Sequence, residues 1–335
     1  MVRVAGTDPG TSSLDVLILE DGDVVDQNRF TPEEIGQSPT LPVEWLTKRG
    51  PFDLVAGPSG YGLPLVRNSE CTEEHLRLMN LVRPDEQGRS QGVVKFSTML
   101  RAFWKSDMPV VFLPGVIHLS SVPSYRKHNR IDMGTADKLC VTALALAQYV
   151  QHCHSDFSKA NLCVVELGSA FTACMVIVNG RIVDGVGGTG GPLGWKSGGA
   201  WDGETAYWCS PLQKHNLFRG GASDLPDEQH RHTMFCESLV KCVAGLRAVH
   251  SFDTISVSGR LLEVAPDLGT RVSEELAKFE SVIRLPSLSE AWVKHAAQGA
   301  AVLADGLVGG KFQDLVEQLE LTNATGTVLD WLSPK

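Results

Sequence analysis

No apolar run in the sequence approaches the ~20 residues that a membrane-spanning helix needs. No two of the eight cysteines are spaced as Cys-x-x-Cys, and no cluster of Lys and Arg with interleaved aromatics interrupts the acidic balance. The first absence, together with an opening stretch that enters a strand without a basic leader and apolar segment, argues against membrane association and makes the cytoplasm the expected location. The second removes the usual zinc and dithiol frameworks. Several cysteines lie inside apolar stretches such as "NLCVVEL" and "TACMVIV" and read as reduced core residues. His152-Cys153-His154 and His230-x-His232 with Cys236 have metal-ligand chemistry but no second half at zinc spacing. The third absence, with a net charge of −9, argues against nucleic acid as a partner. At 43% hydrophobic and 21% charged over 335 residues, the whole chain should fold, with room for two domains.

What the sequence does contain is a repeat. "RVAGTDPGTSSLDVLILEDGDVV", Arg3 to Val25, reads as strand, turn, strand, tight turn, strand. By itself the turn after Asp8 needs no ligand, because Pro9 and Gly10 suit a hairpin. Alternatively, Gly10, Thr11 and Ser12 offer N–H groups and hydroxyls to a phosphate, with Asp8 facing an accompanying metal ion. The pattern returns in "NLCVVELGSAFTACMVIVNGRIVDG", Asn161 to Gly185. Asp8 and Gly10 precede Gly22 by the same intervals at which Glu166 and Gly168 precede Gly180. Turn chemistry alone does not explain an acidic residue two before a glycine at one shared spacing. Two such hairpins, each opening one half of the chain, imply two lobes whose acidic turns face each other across a cleft.

The remaining segments fit that plan. Residues 53–60 and 108–116 read as buried strands, and the polar stretch from Arg67 to Gln91 as a loop or insertion. A helix should run from Thr135 to about His152, with Thr135 as N-cap and Asp137 in its first turn. Another should cover about Gln229 to His250. The strand Thr254 to Val257 runs into Ser258-Gly259-Arg260, where a flat base could approach the backbone, and Gly259→Val should obstruct it at little cost to folding. "AWVKHAAQGAAVLADGLVGG" is a helix rich in small residues, placed at the hinge against the helix after Thr135.

In this order the segments resemble the superfamily of acetate and sugar kinases, heat-shock chaperones and actin, over most of the chain. "GTDPGTSS" is similar to its first phosphate motif, "VVELGSAFT" to the second, "ISVSGRLL" to the adenosine motif and "HAAQGAAVLADG" to the second connecting helix. Within it the likeness is to the acetate and butyrate kinase branch, in particular a family described as predicted butyrate kinases. "DGVGGTGGPLGWKSGGAWDGETAYW" and "VFLPGVIHLSSVP" followed by "RIDMGTADKLCV" carry that likeness. The resemblance implies an α/β, two-lobed actin-like ATPase (ribonuclease H-like) fold with a nucleotide cleft. Its first lobe would span 1–152 and its second 153–310, with helices of about 311–335 returning to the first. It further implies ATP and Mg²⁺, with Asp8 and Glu166 holding the metal largely through water. Gly10, Thr11, Ser12, Gly168, Ser169, Gly188, Thr189 and Gly190 would surround the phosphates, and Gly259 and Arg260 would meet the adenosine.

Several positions depart from the branch. Glu166 replaces an Asp, Leu113 a catalytic Asp, Asp137 a His, and Pro58 and Ser59 stand where an Arg binds the substrate carboxylate. Lys196 stands where an Arg stabilises the transferring phosphoryl group. It could do the same, or be a solvated surface charge, and an ammonium lacks the bidentate fork of an Arg. Asp132 and Asp137 could accept a proton or position water, or be ordinary charges at a helix start. Trp195, Trp201, Tyr207 and Trp208 could form a lid over a small organic acid or cover the core of the second lobe. The expected activity is an ATP-dependent phosphotransferase acting on a small carboxylate, with a homodimer as the expected assembly. The alternatives are an ATP-binding regulator without a second substrate, or a kinase for a sugar or polyol.

Overall fold

Each half of the chain opens with a three-stranded meander whose tight turn demands left-handed backbone at two successive residues. In the first, β1 (Arg3–Pro9), β2 (Leu14–Glu20) and β3 (Asp23–Phe30) turn at Asp21-Gly22, with φ of 50° and 82°. In the second, β7 (Leu162–Leu167), β8 (Thr172–Val178) and β9 (Arg181–Val186) turn at Asn179-Gly180, with φ of 51° and 72°. Asx-Gly is the pair such a hairpin turn favours. The copies agree further: pairing of the second and third strands shifts register between Ile18 and Leu19 and between Val176 and Ile177, the same places in the repeat. The structure, a computed structural model, describes residues 1–10, 13–83 and 91–333.

The other strands are β4 (Leu54–Gly57), β5 (Val66–Arg67), β6 (Val110–Phe112), β10 (Thr254–Ser258) and β11 (Ser281–Arg284). One sheet has the order β3-β2-β1-β4-β6-β5 and the other β11-β10-β7-β8-β9. In each, the first hairpin strand pairs in parallel with the strand that follows the meander, β1 with β4 and β7 with β10. The helices are α1 (Pro32–Gln37), α2 (Leu41–Thr47), α3 (Glu73–Asn80), α4 (Gln91–Trp104), α5 (Ser124–Lys127), α6 (Ala136–Cys153), α7 (Gly203–Trp208), α8 (Glu228–Val249), α9 (Leu261–Val264), α10 (Pro266–Leu276), α11 (His295–Leu307) and α12 (Gln313–Gln318). Among the described residues, no helix is long and apolar enough to cross a membrane.

Two helices set the relation of the lobes. On α11, a methyl group at Gly299 would lie 1.9 Å from the Cys140 carbonyl oxygen of α6. On β1, one at Gly6 would lie 2.0 Å from the Ala301 backbone nitrogen of α11. Backbone therefore meets backbone on both sides of α11, which explains the small residues read from the sequence. One apolar core joins α6, α11, the first sheet, one face of the second sheet and the C-terminal residues Leu315, Val316, Leu319 and Val328. A smaller core lies on the other face of the second sheet, around Phe235, Leu239 and Val243 of α8.

One segment differs from its sequence reading. Within Arg67 to Gln91, α3 forms, with Thr72 Oγ1 accepting the His75 N–H and the His75 ring accepting the Thr72 N–H. Its apolar residues Leu76, Leu78 and Met79 are buried among many polar neighbours, so the mean polarity hid an amphipathic helix. Residues 84–90 of that stretch lie outside the described residues.

Candidate nucleotide cleft

A cleft of about 740 Å³ runs between the sheets, and Asp8, Gly10, Asp132, Asp137, Glu166, Gly168, Ser169, Gly188, Thr189, Gly259 and Arg260 all line it. Thr11 and Ser12 lie outside the described residues. Lys196 is exposed and is not among the lining residues; its backbone joins Ala170 and Gly221. Gly190 is also outside the lining, its N–H closing a turn on the Gly187 carbonyl at 3.1 Å.

The two acidic turns are built alike. The Gly10 N–H donates to the Ser13 carbonyl and the Gly168 N–H to the Phe171 carbonyl, each at 2.9 Å. These glycines therefore spend their donors closing the turn rather than offering them to a ligand. Asp8 and Asp15 are direct cross-strand partners on β1 and β2, an arrangement of like charges that needs a cation between them. Lys294, just before α11, supplies it: its ammonium lies 3.3 Å from Asp8 Oδ2, 3.6 Å from Asp15 Oδ1 and 3.1 Å from the Ser13 carbonyl oxygen. Asp15 is fully buried; Arg29 donates to it from Nε and Nη2, and Lys294 from its backbone N–H. Burial would raise the Asp15 pKa, but these donors hold it below the usual carboxylate range.

At the second turn the counterpart is Lys138 of α6, 3.1 Å from Glu166 Oε2 and 2.5 Å from Asp137 Oδ2. Burial works against its charge, yet Asp137, Glu166 and Asp8 together raise its pKa, so it is ammonium at any physiological pH. Asp137 would be pushed up by burial, but Lys138 and the Thr135 hydroxyl bring it below its ordinary value. Burial raises Asp8 and Glu166, and Asp137 adds to both. Among the described residues no hydrogen bond reaches Glu166 Oε2, although Lys138 is within ion-pair range. Asp8, Glu166 and Asp137 thus form an acidic field around buried oxygens, which fits a hydrated Mg²⁺. No three His, Cys, Asp or Glu residues among those described are grouped as direct ligands, so the fit is to a metal held through its waters.

Asp132 has both oxygens committed. Oδ1 accepts the Gly134 N–H at 3.0 Å, and Oδ2 accepts the Thr189 N–H and hydroxyl, each at 3.1 Å. It ties the glycine-rich loop to the start of α6. Gly259, with φ of 117°, packs so closely on β7 that a methyl group would lie 2.2 Å from the Leu167 carbonyl oxygen. The expectation that Gly259→Val costs little folding energy is therefore corrected: the residue is required by strand-end packing. Arg260 pairs with Glu263. His295, which the sequence reading did not single out, faces the Ser258 hydroxyl at 2.8 Å and the Ser287 hydroxyl at 3.2 Å. Burial pushes it down to about 4, so it is neutral there.

The tryptophan-rich stretch does not roof the cleft. Trp195 packs edge-on against Phe235 at 6.3 Å, and Tyr207 and Trp208 are 78% and 86% exposed. The aromatic lining comes instead from Tyr61, Phe96, Phe171, Phe218 and Trp292. Met79, Met99, Leu113 and Val141 add apolar lining to the cleft. Ser59 also lines the cleft, its hydroxyl donating to the Gly57 carbonyl and accepting the Leu113 N–H, both at 2.8 Å.

Two meander-led lobes joined by crossing helices, with acidic turns on a shared cleft, define the actin-like ATPase fold. The chain belongs to the family described as "Protein of unknown function (DUF1464)", whose model matches residues 6–334. Among solved structures it is similar to a propionate kinase from Francisella tularensis subsp. tularensis SCHU S4, with 12% identity, a TM-score of 0.60, and coverage of 89% of this chain and 99% of that one. It is also similar to the acetate kinase from Entamoeba histolytica, with 10% identity, a TM-score of 0.57, and coverage of 82% and 87%. Porphyromonas gingivalis acetate kinase has 14% identity, a TM-score of 0.54, and coverage of 83% and 88%. At such identities the likeness is one of fold. No curated relative matches the chain.

Proposed function

We propose that the chain is an ATP-dependent phosphotransferase whose acceptor is a small carboxylate, as the names of the acetate and propionate kinases that share its fold suggest. The observation that carries the reading is the pairing of two acidic turns, each with its own partly buried lysine, on one cleft that also has apolar lining. Asp8 and Glu166 would hold Mg²⁺ through its waters, and the ion would offset phosphate charge. Lys138 would offset charge from the α6 side, the role that the resemblance implied for Lys196. Asp137, kept ionised by Lys138, is a weak base. That suits a carboxylate acceptor, which needs no deprotonation, better than the hydroxyl of a sugar or polyol.

A second reading has specific support. Leu113 is buried, the Ser59 hydroxyl is fully engaged, and Lys196 faces solvent, so three positions of the related kinases carry no charge on the acceptor side. That favours a nucleotide-binding regulator. Trapping acyl phosphates with hydroxylamine across short, branched and aromatic carboxylates separates the two. The kinase reading expects ATP-dependent hydroxamate from at least one acid. It also expects Lys196→Ala to leave the rate nearly unchanged, because the residue lies off the cleft. Slow ATP hydrolysis that no carboxylate accelerates would establish the regulator instead.

The raised pKa values of Asp8 and Glu166 add a pH test. Both must lose a proton to serve the metal, and both hold it above their ordinary values of 3.8 and 4.5. Mg·ATP affinity should therefore fall as pH is lowered toward those ordinary values, beginning above them. In the same window these two groups favour the folded apo protein, since the folded state binds their protons more tightly than the unfolded chain does. Asp8→Asn should lower Mg·ATP affinity at neutral pH and flatten its pH dependence. Calorimetric titrations with identical pH profiles in both proteins would remove Asp8 from the site.

A further inference from the structure

Two of the lysines that line the cleft are exchanged between the halves of the repeat. Lys138, on the helix that closes the first half, reaches the acidic residue of the second turn. Lys294, at the helix that follows the second half, reaches that of the first. We propose that Lys294 is the phosphate-binding cation of the first turn and contacts the terminal phosphates of the nucleotide directly. The assignment rests on the nucleotide reading of the cleft and deepens it.

Three observations converge on Lys294. Its ammonium stands over the turn itself: a methyl group on Gly10 would lie 2.4 Å from Lys294 Nζ, so the glycine leaves room for the lysine. Its position is fixed from behind, because Asp15, fully buried in β2 and clamped by Arg29, accepts the Lys294 backbone N–H at 3.0 Å. Its side chain lines the cleft and keeps 18% of its surface exposed, so a ligand can reach it. With the Gly10 N–H consumed by the Ser13 carbonyl, an ammonium bonded to that same carbonyl is the nearest described cation to the turn. A phosphate would gain a charge-assisted hydrogen bond from a donor already held in place.

The test uses the full chain with ATP and adenosine as probes. Calorimetry should show Lys294→Met weakening ATP binding about tenfold or more, the scale of one charge-assisted phosphate contact. Adenosine affinity should stay close to that of the unaltered protein, and Lys294→Arg should recover part of the ATP affinity. Because Lys294→Met leaves two carboxylates without their shared cation and could impair folding, a second measurement uses the unaltered protein. Amine-selective labelling of Lys294, read by peptide mass, should be suppressed by ATP but not by adenosine. Unchanged labelling in the presence of bound ATP, or full ATP affinity in folded Lys294→Met, would overturn the assignment. A protein that binds neither ATP nor adenosine would instead overturn the nucleotide reading on which it rests.

Discussion

Lys138→Met should abolish most turnover and destabilise the fold in one step. Its ammonium is 13% exposed and holds Asp137 and Glu166, the latter 11% exposed. Removing it leaves two carboxylates near each other in a poorly solvated site. Breaking a buried ion pair from one side costs about 3 kcal/mol or more, and loss of one electrostatic partner in a transfer site about 10²-fold in rate. Denaturant unfolding of Lys138→Met, Glu166→Gln and the double variant measures the coupling. The double variant should be more stable than the two single losses add up to, because it no longer buries an unpaired carboxylate at Glu166. Strict additivity would mean that the pair does not act as a unit. In Lys138→Met the Glu166 pKa should move further up, since the chief opposition to its burial is gone.

Gly299→Ala should unfold or severely loosen the protein, although alanine is the better helix former. The added methyl would sit 1.9 Å from the Cys140 carbonyl oxygen, a contact that only separation of α6 and α11 can relieve. Overpacking against backbone has no side-chain escape, and a loss of about 3 kcal/mol is expected, toward the upper end for single substitutions. Gly245→Ala is the internal comparison. It lies on α8 with no atom of the described residues within 4 Å of the new methyl, so it should stabilise by about 0.5–1 kcal/mol through helix propensity alone. Thermal unfolding of the two variants should therefore move in opposite directions. Parallel shifts would refute the close approach of the two helices.

Much of the fold was legible because its signals are local. Strand alternation, Asx-Gly turns and the shared intervals around Asp8 and Glu166 all lie within hairpins, and a duplicated hairpin carries its bulge and turn with it. The run of small residues in α11 likewise announced a close helix contact. Asp8, Asp137 and Glu166 stood out as acidic residues at turns or a helix start, where side chains reach the end of a sheet.

What the sequence could not decide is which charges meet. Lys138 and Lys294 look like ordinary charges beside helix starts, and they gain meaning only when crossing helices carry each into the opposite half of the repeat. Lys196 stands where the resembled branch has an Arg, but the structure leaves its side chain exposed and off the cleft lining. The tryptophans nearby were ambiguous, since composition does not say which face of a loop meets the core. Alternation, turn chemistry and repeat spacing are properties of contiguous residues, so sequence alone determined the lobes and their acidic turns. Pairing across a cleft depends on how α6 and α11 cross, a long-range contact that no contiguous stretch of residues encodes.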